Sequence, residues 1–162
     1  MFLRYFIELS LPVGAVEDTL LPTPSTWLPR LADQASARGE DLLAQVGIGP
    51  PSKGLRKRVR VEFGPVVRYP SQTTLPMTWH PTGAGTLFPV LEADLEIGAL
   101  GNDRTQLGLN ARYRPPLGTL GRAIDRALLH RVAEATVKDF LDQAGEAIQR
   151  NLEQQRHARD SA

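Results

Sequence analysis

His80, His130 and His157 are the three imidazoles of a 162-residue chain, and together they would make a metal site or an acid–base set. They lie far apart along the chain and share no metal-ligand spacing, so each reads first as a structural or solvated histidine. Glu92, Asp94 and Glu96 offer carboxylates at alternate positions. On a strand that spacing puts them on one face, where they could hold a hard cation. The plainer reading is a solvated outer surface facing Arg112. "GPPSKG" at 49–54 has the outer glycines of a phosphate loop, but Leu55 and Arg56 stand where Lys and Ser/Thr are needed. Lys53, Arg56, Lys57, Arg58 and Arg60 form the concentrated basic run. It could contact a phosphate or an anionic membrane surface, or simply keep a strand face soluble and unpaired. No Gly-x-Ser-x-Gly elbow or dinucleotide fingerprint is present, and the absence of cysteine removes thiol chemistry and disulfides. No metal or cofactor is expected. What remains are Trp79 and Tyr113, each a large apolar body with a hydrogen-bonding tip, which suit binding better than catalysis.

These side chains need elements to position them. Leu3, Tyr5, Ile7, Leu9 and Leu11 fall on one face of an opening strand, with Arg4, Glu8 and Ser10 on the other. That alternation, broken by charge at Arg4 and Glu8, argues against a signal peptide. Residues 15–47 read as two short helices interrupted by Pro22 and Pro24, the second capped by Ser25 or Thr26 and ended by Gly47. Residues 56–116 read as antiparallel sheet. Gly64 and Pro65 bend it, and Pro76 implies an edge or a bulge. "GND" at 101–103 suits a three-residue hairpin loop. The resulting register sets Glu92 opposite Arg112, Leu95 opposite Leu109 and Leu91 opposite Tyr113. Pro115 and Pro116 stop the ladder. In the long helix that follows, Leu117, Leu120, Ile124, Leu128, Val132 and Ala135 make one apolar stripe. Leu129, Ala133, Val137, Phe140, Ala144 and Ile148 make a second, for which a bend near 128–131 is the favoured explanation. Residues 1–150 are expected to form one domain, and the polar residues 151–162 a frayed tail.

Nineteen Lys and Arg against eighteen Asp and Glu give a net charge of +1, which offers no bulk attraction to nucleic acid. No stretch approaches the roughly 18 apolar residues of a membrane span, and a cytoplasmic protein is expected.

The element order, with "TQLGLNARY", "RPPLGTLGRAIDR" and "HRVAEATVKDFLDQ" in succession and the hairpin "LPMTWHPTG…LFPVLEADLEI" before them, resembles the START-like (SRPBCC) superfamily, which includes polyketide cyclases. The resemblance covers about residues 2–148. It implies an α+β helix-grip fold: a curved antiparallel sheet of five to six strands, two short helices after the first strand, and a long C-terminal helix over the sheet. It also implies an apolar cavity between sheet and helix. A dry void costs about 24 cal/mol per Å³, so a large one is sustained only for a ligand. Its walls would be the inward residues Tyr5, Phe63, Met77, Trp79, Leu95, Leu109 and Tyr113 with Phe140 from the helix, and Trp27 at the entrance. For each of these the plain alternative is core packing. The expected partner is a small hydrophobic molecule such as a lipid, isoprenoid or polyketide. An aromatase/cyclase-like reaction in the same cavity is the alternative, using Tyr113, Trp79 or His80, and a membrane-contacting module is a third reading.

Overall fold

A computed structural model describes residues 1–47, 59–82, 90–114 and 126–161. Strand β1 (Phe2–Leu9) follows its alternation. Leu3 and Leu9 are buried and Tyr5 and Ile7 half-buried, while Phe2, Arg4, Phe6 and Glu8 face out. Pro12 stands at the start of α1 (Val13–Leu20). The next helix, α2 (Pro24–Gln45), spans 22 residues and is longer than expected. Its cap is Thr23, not Ser25 or Thr26. Pro24 takes the first helical position, where a fixed φ helps and a missing donor costs nothing. The Thr23 carbonyl accepts the Thr26 amide at 3.1 Å and the Thr26 hydroxyl at 2.7 Å. Pro29 therefore lies inside the helix, beyond its first turn, and the carbonyl left without a helical donor belongs to solvent-exposed Ser25. Gly47 ends α2 as expected, with φ 80° and its amide donating to the Ala44 carbonyl at 3.0 Å.

The sheet is completed by β2 (Val59–Phe63), β3 (Val67–Arg68), β4 (Gln72–Pro81), β5 (Val90–Ala99) and β6 (Thr105–Arg114), in the order β1-β6-β5-β4-β2 with β3 also on β4. All pairings are antiparallel. The three cross-strand pairs expected between β5 and β6 are found. Their loop closes with the Leu100 amide on the Arg104 carbonyl at 2.8 Å, and Gly101 takes the positive φ of 98°.

Pro76 marks a bulge, and the bulge lies in its neighbour. Strand β4 is internal, flanked by β5 and by β2 with β3. Phe63 pairs with Met77 and Val67 with Thr74, so residues 64–66 stand opposite 75 and 76. The Pro76 carbonyl accepts the Gly64 amide at 2.8 Å. A strand residue's amide and carbonyl point to the same neighbour, so the hydrogen Pro76 lacks would have pointed into the bulge, where no regular partner waits.

Helix α3 is described from Arg126 to Asp160. Leu117, Leu120 and Ile124 lie outside the described residues. Its two apolar stripes have two partners. Leu128 and Val132 pack with Leu42 and Leu43 of α2, while Ala133, Val137, Phe140, Ala144 and Ile148 join the cluster on the sheet. That division gives the described part of each stripe its own partner. A Cβ on Gly145 would come within 2.7 Å of Ile7 Cδ1 and 3.1 Å of Leu9 Cδ2, so the absent side chain is what lets α3 cross β1 so closely. Beyond residue 150 the helix continues to Asp160, exposed except for half-buried Leu152, and Gln155 bonds Asn151 across one turn at 2.7 Å. Strand, two helices, five strands and a long helix over the sheet make this an α+β helix-grip fold.

Candidate functional site: the inner face of the sheet

Across the sheet, inward residues line up in rows. Val61, Trp79, Leu91 and Tyr113 form the first, and Phe63, Met77, Ala93, Ala111 and Leu3 the second. Leu75, Leu95, Leu109 and Tyr5 form the third. The strand residues nominated from sequence thus occupy three adjoining rows on one face. Trp79 and Tyr113 are 1% exposed, Met77 is 3%, and Leu95, Leu109 and Phe140 are fully enclosed. Tyr5 and Phe63 are half-buried at the sheet's two margins. Phe140 reaches down from α3 to meet Trp79 edge-on, with ring centroids 4.8 Å apart and an interplanar angle of 66°. In the middle row, Ala93 and Ala111 are neighbours, the smallest inward side chains of the three rows, and both are buried.

Trp27 of α2 is half-buried and packs against the same core cluster. It lines a groove of about 260 Å³ with Thr19, Thr23 and Thr26 on one side and Ala147, Ile148 and Asn151 of α3 on the other.

The two polar tips on the inner face both end on sulfur. Trp79 Nε1 donates to Met77 Sδ at 3.1 Å, and Tyr113 Oη donates to Met1 Sδ. A thioether is a weak acceptor. Burial raises the Tyr113 pKa, so its hydroxyl keeps its proton as a donor.

The outer face carries most of the charge. His80 lies there, its Nε2 3.4 Å from Glu62 Oε2, and Arg60 meets the same carboxylate at 3.3 Å. Glu92 pairs with Arg114 at 3.1 Å, not with Arg112 across from it. Glu96 accepts from Asn110 at 2.6 Å and lies 3.7 Å from Arg4. These carboxylates have cationic or amide partners, and no metal-holding cluster occurs among the described residues. A groove of about 680 Å³ is also here, between Phe2, Glu62, Pro76, Thr78, Asp94 and Arg112. Phe63 and Met77 border it from the nominated set. Of the basic run, Lys53, Arg56, Lys57 and Arg58 lie outside the described residues.

Sequence reasoning missed several groups. It saw no part for Met1 or for the Leu43–Val132 cluster, which stands separate from the apolar cluster on the sheet. His130 Nδ1 is buried without a hydrogen-bond partner, which its isolated place in the sequence gave no sign of. Glu17 of α1 accepts from both Thr73 and Arg68, a tie between helix and sheet that only the tertiary fold creates.

No family model and no curated protein matches the sequence. Among solved structures the chain is similar to a conserved protein from Geobacillus kaustophilus, at 17% identity over 93% of this chain and 96% of that one, with a TM-score of 0.53. It is also similar to the Zhui aromatase/cyclase from Streptomyces sp. R1128, at 13% identity over 94% and 95% and a TM-score of 0.48. A third is Ara h 8.0201, at 7% identity over 91% and 97% and a TM-score of 0.47. At these identities the likeness is one of fold. Among the described residues no helix is long and apolar enough to cross a membrane.

Proposed function

We propose that this helix-grip chain binds a small hydrophobic molecule carrying an oxygen acceptor, of lipid, isoprenoid or polyketide type, between the Trp79–Leu91–Tyr113 row and α3. The observation that carries the reading is that both polar tips of that row are spent on thioether sulfurs. A carbonyl or hydroxyl oxygen would be a better acceptor than either, so a ligand that brings one gains more there than from burial alone. In this reading Trp79 against Phe140 forms the blind end of the site, and Leu95 and Leu109 beyond it are packing. The small Ala93 and Ala111 give the ligand its depth.

A cyclase-like reaction needs at least two proton-moving groups facing the same molecule. His80, one of the groups considered for that part, lies on the opposite face, paired with Glu62. Binding without chemistry is therefore the better-supported reading.

Mass spectrometry of an organic extract of the purified protein tests it, together with titration by the fluorescent apolar probe 1-anilinonaphthalene-8-sulfonate. A co-purifying apolar compound, or saturable probe binding weakened by Ala111→Phe in a folded variant, is expected. Protein that is empty and also indifferent to the probe would refute the proposal.

A further inference from the structure

Strand β1 is an edge: among the described residues its ladder partner is β6 alone. Met1 exchanges backbone hydrogen bonds with Tyr113 in both directions, at 3.0 Å each. Since amides alternate along a strand, Leu3, Tyr5, Ile7 and Leu9 also aim their backbone at β6. Phe2, Arg4, Phe6 and Glu8 aim theirs away from the sheet. Strand β1 has neither proline nor bulge, so among the described residues the charges of Arg4 and Glu8 are what guard this edge. It also holds two of the large apolar side chains most open to solvent, Phe2 at 58% and Phe6 at 54%. Covering Gly108, its partner in β6, gives Phe6 one reason to be aromatic, yet leaves it half in water.

The segment "LRYFIEL", residues 3–9, reads nearly the same in both directions about Phe6, except that its charges are opposite. Laid antiparallel on a second copy with the twofold axis at Phe6, it puts Phe6 against Phe6, Arg4 against Glu8 twice, Leu3 against Leu9, and Tyr5 against Ile7. Each pairing is favourable for its face, and the residues brought opposite on the outer face are those whose amides point outward. Alternative twofold centres do worse: one at Arg4 sets arginine against arginine, and one at Tyr5 sets both charges against phenylalanine. Among the described residues Arg4 and Glu8 have loose partners, Glu96 and Arg104, each at 3.7 Å, and both side chains are mostly exposed.

We infer that β1 is a self-recognition edge, joining two copies of this chain into one continuous antiparallel sheet centred on Phe6. The partner is a second copy because the strand complements its own reverse in charge and in size, a match that an unrelated strand would have to reproduce position by position.

Sedimentation of the full chain over a wide concentration range tests the inference. A reversible dimer is expected. Arg4→Glu sets like charges opposite each other twice and should weaken dimerisation about tenfold, while Arg4→Glu with Glu8→Arg restores it. Phe6→Cys adds the chain's sole cysteine at the twofold axis, where facing Cα atoms about 5.5 Å apart suit a disulfide. Oxidation should crosslink it far faster than Gln155→Cys on exposed α3. A chain that stays monomeric throughout overturns the inference. So does a dimer indifferent to Arg4→Glu, a charge swap that fails to recover association, or crosslinking at position 6 no faster than at 155.

Discussion

Replacing Phe140 by alanine tests the packing that closes the inner site. The ring is fully enclosed and sits edge-on to Trp79 at 4.8 Å. Truncating an enclosed phenylalanine costs about 3–5 kcal/mol, from lost transfer energy plus the cavity left behind. The edge-to-face contact accounts for about 0.5–1.5 kcal/mol of that. Urea denaturation of wild type, Phe140→Ala, Trp79→Leu and the double variant measures both quantities, the second as the coupling energy of the cycle. The expected result is a loss within the larger range for Phe140→Ala and a coupling within the smaller one. A loss under about 1 kcal/mol would show the ring lying against open space instead of packed neighbours, and the blind end proposed for the site would be wrong.

Other perturbations have equally definite outcomes. Thr105→Val keeps the shape but leaves the Leu11 carbonyl, which the Thr105 hydroxyl now meets at 2.7 Å inside the core, without its donor; denaturation should show a loss of about 1–3 kcal/mol. Gly64→Val places a Cβ 3.0 Å from that of Pro76 and adds two methyl groups beside it, so thermal unfolding should report a loss of about 1–3 kcal/mol, against little change for the open Gly14→Val. The Tyr113 pKa is raised above its ordinary 10.0, so its contribution to stability is complete below that pH and is lost as pH climbs through the folded value. Stability measured across the alkaline range should therefore fall less steeply in Tyr113→Phe than in wild type.

The sequence made the β5–β6 hairpin legible because two independent patterns, alternating burial and opposed charge, select the same register there. Gly47 was legible because a helix-ending glycine acts locally. The start of α2 was not: Pro22 and Pro24 read as breakers and Ser25 and Thr26 as caps, whereas proline at the first helical position is itself a starting signal. The inward positions Trp79, Tyr113, Leu95 and Leu109 could be read from period two alone. Which of them meet Phe140 could not, since that depends on how α3 crosses the sheet. The outward phenylalanines of β1 escaped notice for a simpler reason. Alternation marks the richer apolar face as the core and draws attention from apolar residues on the other. Which part of the long helix faces Trp27 across its groove could not be read either, since no local pattern encodes how two helices meet.

Pro76 has an effect beyond its own strand. A ring nitrogen in the middle of a sheet is a fixed vacancy in the ladder, and a neighbour can fit beside it only by buckling at that point. The kink at residues 64–66, where Gly64 and Pro65 already favour a bend, lies against that vacancy, and buckled strands coil more tightly than straight ones. Pro76 and the Gly64–Pro65 pair facing it thus act on one point of the sheet from two strands, and an ordinary residue at either place would leave the other to hold the bulge.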